Sequence, residues 1–290
     1  MTAEISVFIL AFNEAANIRG CLESLRGSFD DIVIVDSYST DETLSIGEEF
    51  GCRIVQHEFE NQALQCNWAL ETVDFRYDWI LRMDSDEILP DKLKAELADL
   101  ARTLDDSVTG IYLNRRQYFM NRWLRHGGIY PHHILRVFRT GVGKYENKSQ
   151  EHFVLNHGTA IKAKNDFLED NRNNDLKFWL RKHDDLADQE IGDTLGITQD
   201  GEGDLEPRLL GEKVQRTRWL KQNVYQRSPL LLRALFYFLY RYFIRLGFLD
   251  GVPGLIYYVN QSFWYRFFVD SRIYEMRSGW KNVRNDYRDI

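Results

Sequence analysis

Apolar and polar positions change period along the chain. Residues 5–11 (ISVFILA) form an unbroken apolar run of strand length. Asn13-Glu14 follow, where a helix is expected to begin, and Ile18, Cys21, Leu22 and Leu25 recur at helical spacing. Residues 32–36 (IVIVD) predict a second strand, followed by the small polar SYSTDET and a helix containing Leu44 and Ile46. Residues 53–56 (RIVQ) predict a third strand, and Asn67 to Leu70 fall in a predicted helix. Residues 79–83 (WILRM) predict a fourth strand, ending in Asp84-Ser85-Asp86-Glu87. Pro90 then opens an amphipathic helix with Leu93, Leu97 and Leu100 on one face. Strands alternating with helices imply an α/β fold with a mostly parallel sheet and right-handed crossovers. Such sheets bind ligands beyond the carboxyl ends of their strands. Asn13-Glu14, Asp36 and Asp84/Asp86 all terminate strands, so they are expected on one edge.

From 108 to 155 the pattern is mixed and predicts strands around an inserted loop, placed at about 115–135. Residues 165–191 predict a helix, 192–212 an acidic loop or linker, and 213–290 an aromatic helical region. The expected domains are therefore 1–160, 161–212 and 213–290. Of 290 residues, 44% are hydrophobic, enough for a substantial core. The cysteines Cys21, Cys52 and Cys66 form no CxxC pair, which argues against a disulfide framework or zinc cluster and fits a reducing cytoplasm. No basic segment precedes the first apolar run, so no signal peptide is expected. The net charge of −7 is uneven: Arg216 to Ile290 holds 13 Lys/Arg against 5 Asp/Glu. An acidic body argues against nucleic acid as a partner, and a basic aromatic tail invites a membrane surface.

Two carboxylates in Asp84-Ser85-Asp86 are hard oxygen ligands of the kind that hold Mg²⁺ or Mn²⁺ beside a diphosphate. An acidic turn ahead of the Pro90 helix is the structural alternative. On ISVFILAFNEAANI, IVIVDSYSTDET and WILRMDSDE, which cover about the first 90 residues, the sequence resembles a family 2 glycosyltransferase of GT-A fold. The later segments ILRVFR, SQEHF and WYRFFVDSRIYE are similar to a subgroup that builds bacterial lipopolysaccharide core, capsule or exopolysaccharide.

The resemblance implies an inverting, metal-dependent transfer from a nucleotide-sugar donor, usually a UDP-sugar. Phe12, Asn13 and Glu14 match the segment lining the nucleotide pocket, and Asp36 the acid that binds the base. Asp84 and Asp86 match the DxD motif, with Asp86 the direct metal ligand and Asp84 nearer the ribose or a metal-bound water. Asp41 is better explained as a cap of the following helix, and Gln65 and Asn67 occupy a donor-side segment. Inversion needs a base for the acceptor hydroxyl; Glu151 matches it, with Glu146 as competitor. His152 and His157 could orient groups, His132-His133 point to opposite faces of an extended segment, and Arg136 and Arg139 could meet phosphate or solvent.

Residues 118–131 (YFMNRWLRHGGIYP) read as an acceptor loop, in which Trp123, Arg125 and Tyr130 could meet a saccharide or lipid-linked glycan. Residues 229–249 (PLLLRALFYFLYRYFIRLGFL) are long enough to span a bilayer, but Arg233, Arg241 and Arg245 make spanning costly. Their spacing shares one helical face, which predicts an interfacial helix, with a helical appendage packed on the core or a dimer interface as the alternative. The expected location is cytoplasmic, peripheral on the inner face of the cytoplasmic membrane. The rival readings are a sugar nucleotidyltransferase, whose glycine-rich loop AFNEAANI lacks, and a non-catalytic nucleotide-sensing membrane module.

Overall fold

A computed structural model describes residues 2–146, 153–170, 175–194, 208 and 213–278. Two compact units divide the chain: Met1–Arg125 with Ile129–Asn174, and His126–Gly128 with Asp175–Ile290.

The first unit begins with β1 (Ile5–Ala11), α1 (Ile18–Leu25), β2 (Ile32–Asp36), α2 (Thr43–Glu49), β3 (Arg53–Gln56), α3 (Gln62–Thr72) and β4 (Trp79–Asp84). It continues with β5 (Glu87–Ile88), α4 (Asp91–Thr103), β6 (Val108–Phe119), β7 (Arg122–Trp123), β8 (His133–Arg139), β9 (Gly143–Tyr145), β10 (Phe153–Leu155) and β11 (Thr159–Asp170). The main sheet runs β3-β2-β1-β4-β8-β6-β11-β5, with β7 paired to β6, while β9 and β10 form a separate ribbon. β1 to β4 are parallel, β8 runs antiparallel between β4 and β6, and β11 is parallel to β6.

Alternating side chains of the parallel strands build a core on each face. Val7 and Ile9 pack with Leu22 of α1 and Leu93 of α4, whereas Phe8 and Val33 pack with Ala63 and Cys66 of α3. Two local expectations are corrected. Residues 165–170 are strand, and α5 (Leu176–Thr194) begins later. NDFLED contains no β-branched residue, so local propensity favours helix; parallel pairing with Asn114–Tyr118 of β6 and burial of Phe167 override it. The helix after β1 starts at Ile18, because Asn13 takes a left-handed φ of 53° and Glu14 to Asn17 form a turn.

The second unit contains α5, α6 (Lys213–Leu220), α7 (Leu232–Leu239), α8 (Gly251–Tyr258) and α9 (Tyr265–Ser278). Wide π turns follow α6, α7 and α8. Ala187 and Ile191 of α5 pack on Tyr265, Val269 and Ile273 of α9. Glu190 lies beneath them, accepting from Arg266 Nη1 (2.6 Å) and the Tyr265 hydroxyl (2.9 Å). Arg233 is buried and clamps the buried Asp270 through Nε (2.8 and 2.9 Å) and Nη2. His126 Nδ1 lies 2.6 Å from Asp250, Tyr258 donates to both the His126 carbonyl (2.8 Å) and Asp250 (2.9 Å), and Arg241 donates to Gly127 O (2.8 Å). Gly127 is required there: its φ is 62°, and a Cβ would fall 2.3 Å from the Tyr258 ring.

The predicted interfacial cations therefore behave differently from expectation. Arg233 and Arg241 do share a face, but it points into the protein, where Asp270, Gly127 O and Ser262 satisfy them; Arg245 alone of the three is exposed. Among the described residues no helix is long and apolar enough to cross a membrane. Most of the predicted acidic linker and the last residues of the chain lie outside the described residues.

Candidate active site

The register of the parallel strands brings the acidic strand ends to one edge. Ala11 pairs with Asp36, and the preceding Leu10 pairs with Asp84. The loops beyond them are tied to each other. Asn13 N donates to Ser39 Oγ (2.8 Å), Thr40 N to Asn13 Oδ1 (2.8 Å), and Glu14 N to Thr43 Oγ1 (2.8 Å). Asp41 accepts from Ala15 N (3.1 Å) and Thr43 N (2.9 Å). Its partial burial would raise its carboxyl, but these bonds outweigh burial and hold it below its ordinary value. Asn13 and Asp41 thus spend their side chains on loop structure, and the small hydroxyl residues of SYSTDET are the complementary half of that lattice. Phe12 and Tyr38 remain more than half exposed, at 58% and 56%.

Asp36 is fully buried. Its Oδ2 accepts from Ser39 N and Gln56 Nε2, both at 3.0 Å, while the buried Oδ1 accepts no hydrogen bond from the protein. Gln65 supports the same loop through Ser37 Oγ (3.2 Å) and His57, whose ring stacks on Trp68 at 4.2 Å. Asn67 serves elsewhere, pairing both backbone groups of Tyr145 at 2.9 Å.

The turn after β4 is organised by charge. Arg82, buried within the strand, binds both Asp84 oxygens at 2.5 and 2.6 Å. Arg136 of β8 adds a bond to Asp84 Oδ2 (2.9 Å) and pairs with buried Glu87, which also accepts from Asp84 N (2.9 Å). Burial and the neighbouring Asp84 push the Glu87 carboxyl up, against the pull of Arg82 and the Asp84 N–H. Asp86 is half-buried, and its carbonyl accepts from Asp170 N (3.0 Å), fastening the turn to the end of β11.

A divalent ion at this turn would have few protein ligands. No cluster of three or more His, Cys, Asp or Glu suited to a metal occurs among the described residues. Mg²⁺ and Mn²⁺ sites that share substrate phosphates need only one or two protein carboxylates. Both Asp84 oxygens are engaged by guanidinium groups.

The remaining candidates separate. Glu151 and His152 lie outside the described residues; Glu146 is buried. His157 is exposed, and its carbonyl accepts from Thr109 Oγ1 (2.7 Å). His132 N donates to Asn114 Oδ1 (2.7 Å), and His133 continues β8. Arg136 reaches the acidic turn, but Arg139 lies over Trp79 (4.6 Å) and donates to Val108 O (3.2 Å), so its role is to anchor the opposite end of β4. Trp123 already carries the guanidinium groups of Arg116 and Arg125 at 4.5 and 4.6 Å from its ring, with Tyr130 edge-on at 5.1 Å. Tyr130 donates to Asp166 (3.1 Å), and burial followed by that carboxylate raises its phenol. The sequence reading missed Arg82 and Glu87. A charged residue inside an apolar strand was the available signal for Arg82, whereas Glu87 resembled one more member of an acidic turn.

Residues 6–165 match the model of glycosyl transferase family 2. An uncharacterized glycosyltransferase of Rickettsia bellii is 38% identical over 97 residues, covering 33% of this chain and 32% of that protein. The lipopolysaccharide core biosynthesis glycosyltransferase LpsC of Rhizobium meliloti is 31% identical over 153 residues, covering 51% of this chain and 55% of that protein. The chain thus spans about a third to about half the length of these relatives. Among solved structures, glucosyl-3-phosphoglycerate synthase of Mycobacterium tuberculosis with Mn²⁺, UDP-glucose and phosphoglyceric acid is 25% identical, with a TM-score of 0.33 over 39% of this chain and 43% of that chain. With more than half of its length matched by the family model, and a helix-flanked mixed sheet beneath that match, this chain belongs to glycosyl transferase family 2.

Proposed function

We propose that the protein is an inverting, metal-dependent hexosyltransferase that uses a nucleoside diphosphate sugar, a UDP-sugar in the first instance. The observation carrying this reading is the register that aligns Asp36 and Asp84 at one sheet edge, with Asp86 on the turn beyond. Asp36 binds the base through its unpartnered Oδ1, and Phe12, Asn13 and Glu14 shape the nucleotide pocket. Asp86 would hold Mg²⁺ or Mn²⁺, which when bound supplies neutralisation of the leaving diphosphate. Asp84, fixed by Arg82 and Arg136, lies toward the ribose or a metal-bound water.

Glu151 takes the proton of the acceptor hydroxyl as its oxygen attacks the anomeric carbon, and the bond to the diphosphate oxygen breaks on the opposite side. The acceptor is a saccharide or lipid-linked glycan of bacterial envelope polysaccharide or lipopolysaccharide synthesis. Trp123, Arg125 and Tyr130 form its side of the site; with its ring already bearing two guanidinium groups, Trp123 orients cations there. The protein works at the inner face of the cytoplasmic membrane, held through its C-terminal helices. Thermal denaturation tests the donor site: UDP with Mn²⁺ raises Tm by mass action, and Asp86→Ala abolishes the rise. No rise with any nucleoside diphosphate overturns the reading.

A further inference from the structure

Exposed apolar side chains are concentrated in one part of the second unit. Of the 25 large hydrophobic residues exposed among the described residues, 13 lie between Leu232 and Val259. On α7 and its π turn, Leu232, Leu235, Phe236, Leu239, Tyr240 and Phe243 recur at helical spacing and define a single outward face. Ile244, at 72% exposure, Leu249, Val252 and Leu255 continue the apolar surface into α8.

Three of the four charged groups of the same segment are turned the other way, and Arg245, near the end of the π turn, is the exposed one. Arg233 is clamped by buried Asp270, Arg241 by Gly127 O and Ser262, and Asp250 by Tyr258 and His126. Apolar outside with polar groups satisfied inside is the arrangement that hydrocarbon, as solvent, selects. A soluble surface would place those cations outward.

We infer that the Leu232–Val259 face is embedded in the hydrocarbon of one leaflet of an anionic bilayer. The inference rests on the membrane part of the reading above and goes beyond surface attachment. Two observations choose this occupant. Lys213–Ser278 carries eleven Lys/Arg against three Asp/Glu, so a second copy would bring like charge, whereas anionic headgroups are complementary. The helical stretch Leu232–Ile244 has 13 residues, about 20 Å long, too short for a hydrocarbon core of about 30 Å. Arg233 and Arg241 are then internal pins of the inserted element rather than headgroup ligands.

The test uses the full chain and vesicles of phosphatidylcholine with about a quarter phosphatidylglycerol. An environment-sensitive fluorophore is attached through Phe243→Cys in a Cys52→Ser background, with quenchers either on lipid headgroups or within acyl chains. Embedding predicts flotation with vesicles that persists at about 1 M salt, where surface electrostatics are screened, and quenching by the acyl-chain quencher. Phe236→Glu/Phe243→Glu, which alters two exposed positions, should lower vesicle partitioning by about 100-fold or more with Tm unchanged. Binding that disappears in high salt, with the fluorophore quenched only from headgroups, overturns embedding while leaving surface attachment intact. Absence of vesicle binding overturns both. A protein dimer that shields the fluorophore without lipid also overturns the inference, assigning the face to a second copy.

Discussion

Replacing Asp36 by Asn tests the donor reading with little change in shape. In the folded chain Oδ2 accepts from Ser39 N and Gln56 Nε2, and the asparagine oxygen can keep both bonds. The folding cost should therefore stay below about 1 kcal/mol. The other carboxylate oxygen is buried without a protein donor, a state that costs about 1–3 kcal/mol for a polar atom. A uracil N3–H that reaches Oδ1 relieves this deficit and forms a bond to a charged acceptor, worth about 1.5–3 kcal/mol, or about 10- to 150-fold in Kd. The turn after β2 lies beside this carboxylate, with Tyr38 at a φ of 62° and largely exposed. Asparagine would present its NH₂ at that point, donor facing donor. Cytosine, whose N3 is an acceptor, escapes this opposition. Titration calorimetry with UDP and CDP, both with Mn²⁺, should show UDP affinity falling at least about 10-fold in Asp36→Asn and the UDP/CDP preference narrowing. An unchanged UDP Kd, or an equal loss for both nucleotides, would refute the assignment of Asp36 to the base.

Three further outcomes follow from the geometry. Glu151→Gln should lower kcat by about 10²- to 10⁴-fold while leaving the UDP-induced rise in Tm intact; a greater loss in Glu146→Gln than in Glu151→Gln would move the base to Glu146. Because Asp84 is engaged by Arg82 and Arg136, Mn²⁺ alone should bind weakly and UDP should strengthen it, with Mn²⁺ tightening UDP by the same factor in a linked titration; tight binding of Mn²⁺ without nucleotide would contradict this. Burial raises the Glu190 carboxyl, but Arg266 and Lys221 outweigh it and hold it at about 2. The resulting stability, about 3 kcal/mol, is present above the ordinary carboxylate pKa and lost as pH falls from about 4.5 toward 2; in acid denaturation Glu190→Gln should flatten that part of the curve.

The half of the fold that carries the acidic strand ends was legible because its signals are local. Apolar runs of strand length, separated by helical spacing, gave β1 to β4 and hence the common edge for Asp36, Asp84 and Asp86. β11 was not legible, because its strand conformation is imposed by β6, about 50 residues earlier, on a sequence that locally favours helix. The inward direction of Arg233 had the same obstacle: spacing identified a face but not its surroundings, which depend on Asp270 at a separation of 37 residues. For His126 and Gly127 nothing local signalled that Asp250 and Tyr258, more than 120 residues away, would hold them.

The buried ion pairs follow from one physical constraint but have different consequences in the two units. A buried Arg–carboxylate pair adds little net stability over an apolar replacement, although removing one partner alone is expensive. Stability is therefore a weak reason for placing Arg82 inside β4 or Arg233 inside the second unit. At the sheet edge, Arg82 and Arg136 neutralise Asp84 and join Glu87 in fixing the turn. Around α7, pairing Arg233 internally removes a cation from the outer face, where the exposed side chains of α7 are apolar. The first arrangement fixes the shape of the acidic turn. The second makes an arginine-bearing helix compatible with hydrocarbon. In both, the guanidinium acts through the groups it engages, so loss of either arginine should alter recognition by more than its own missing contact.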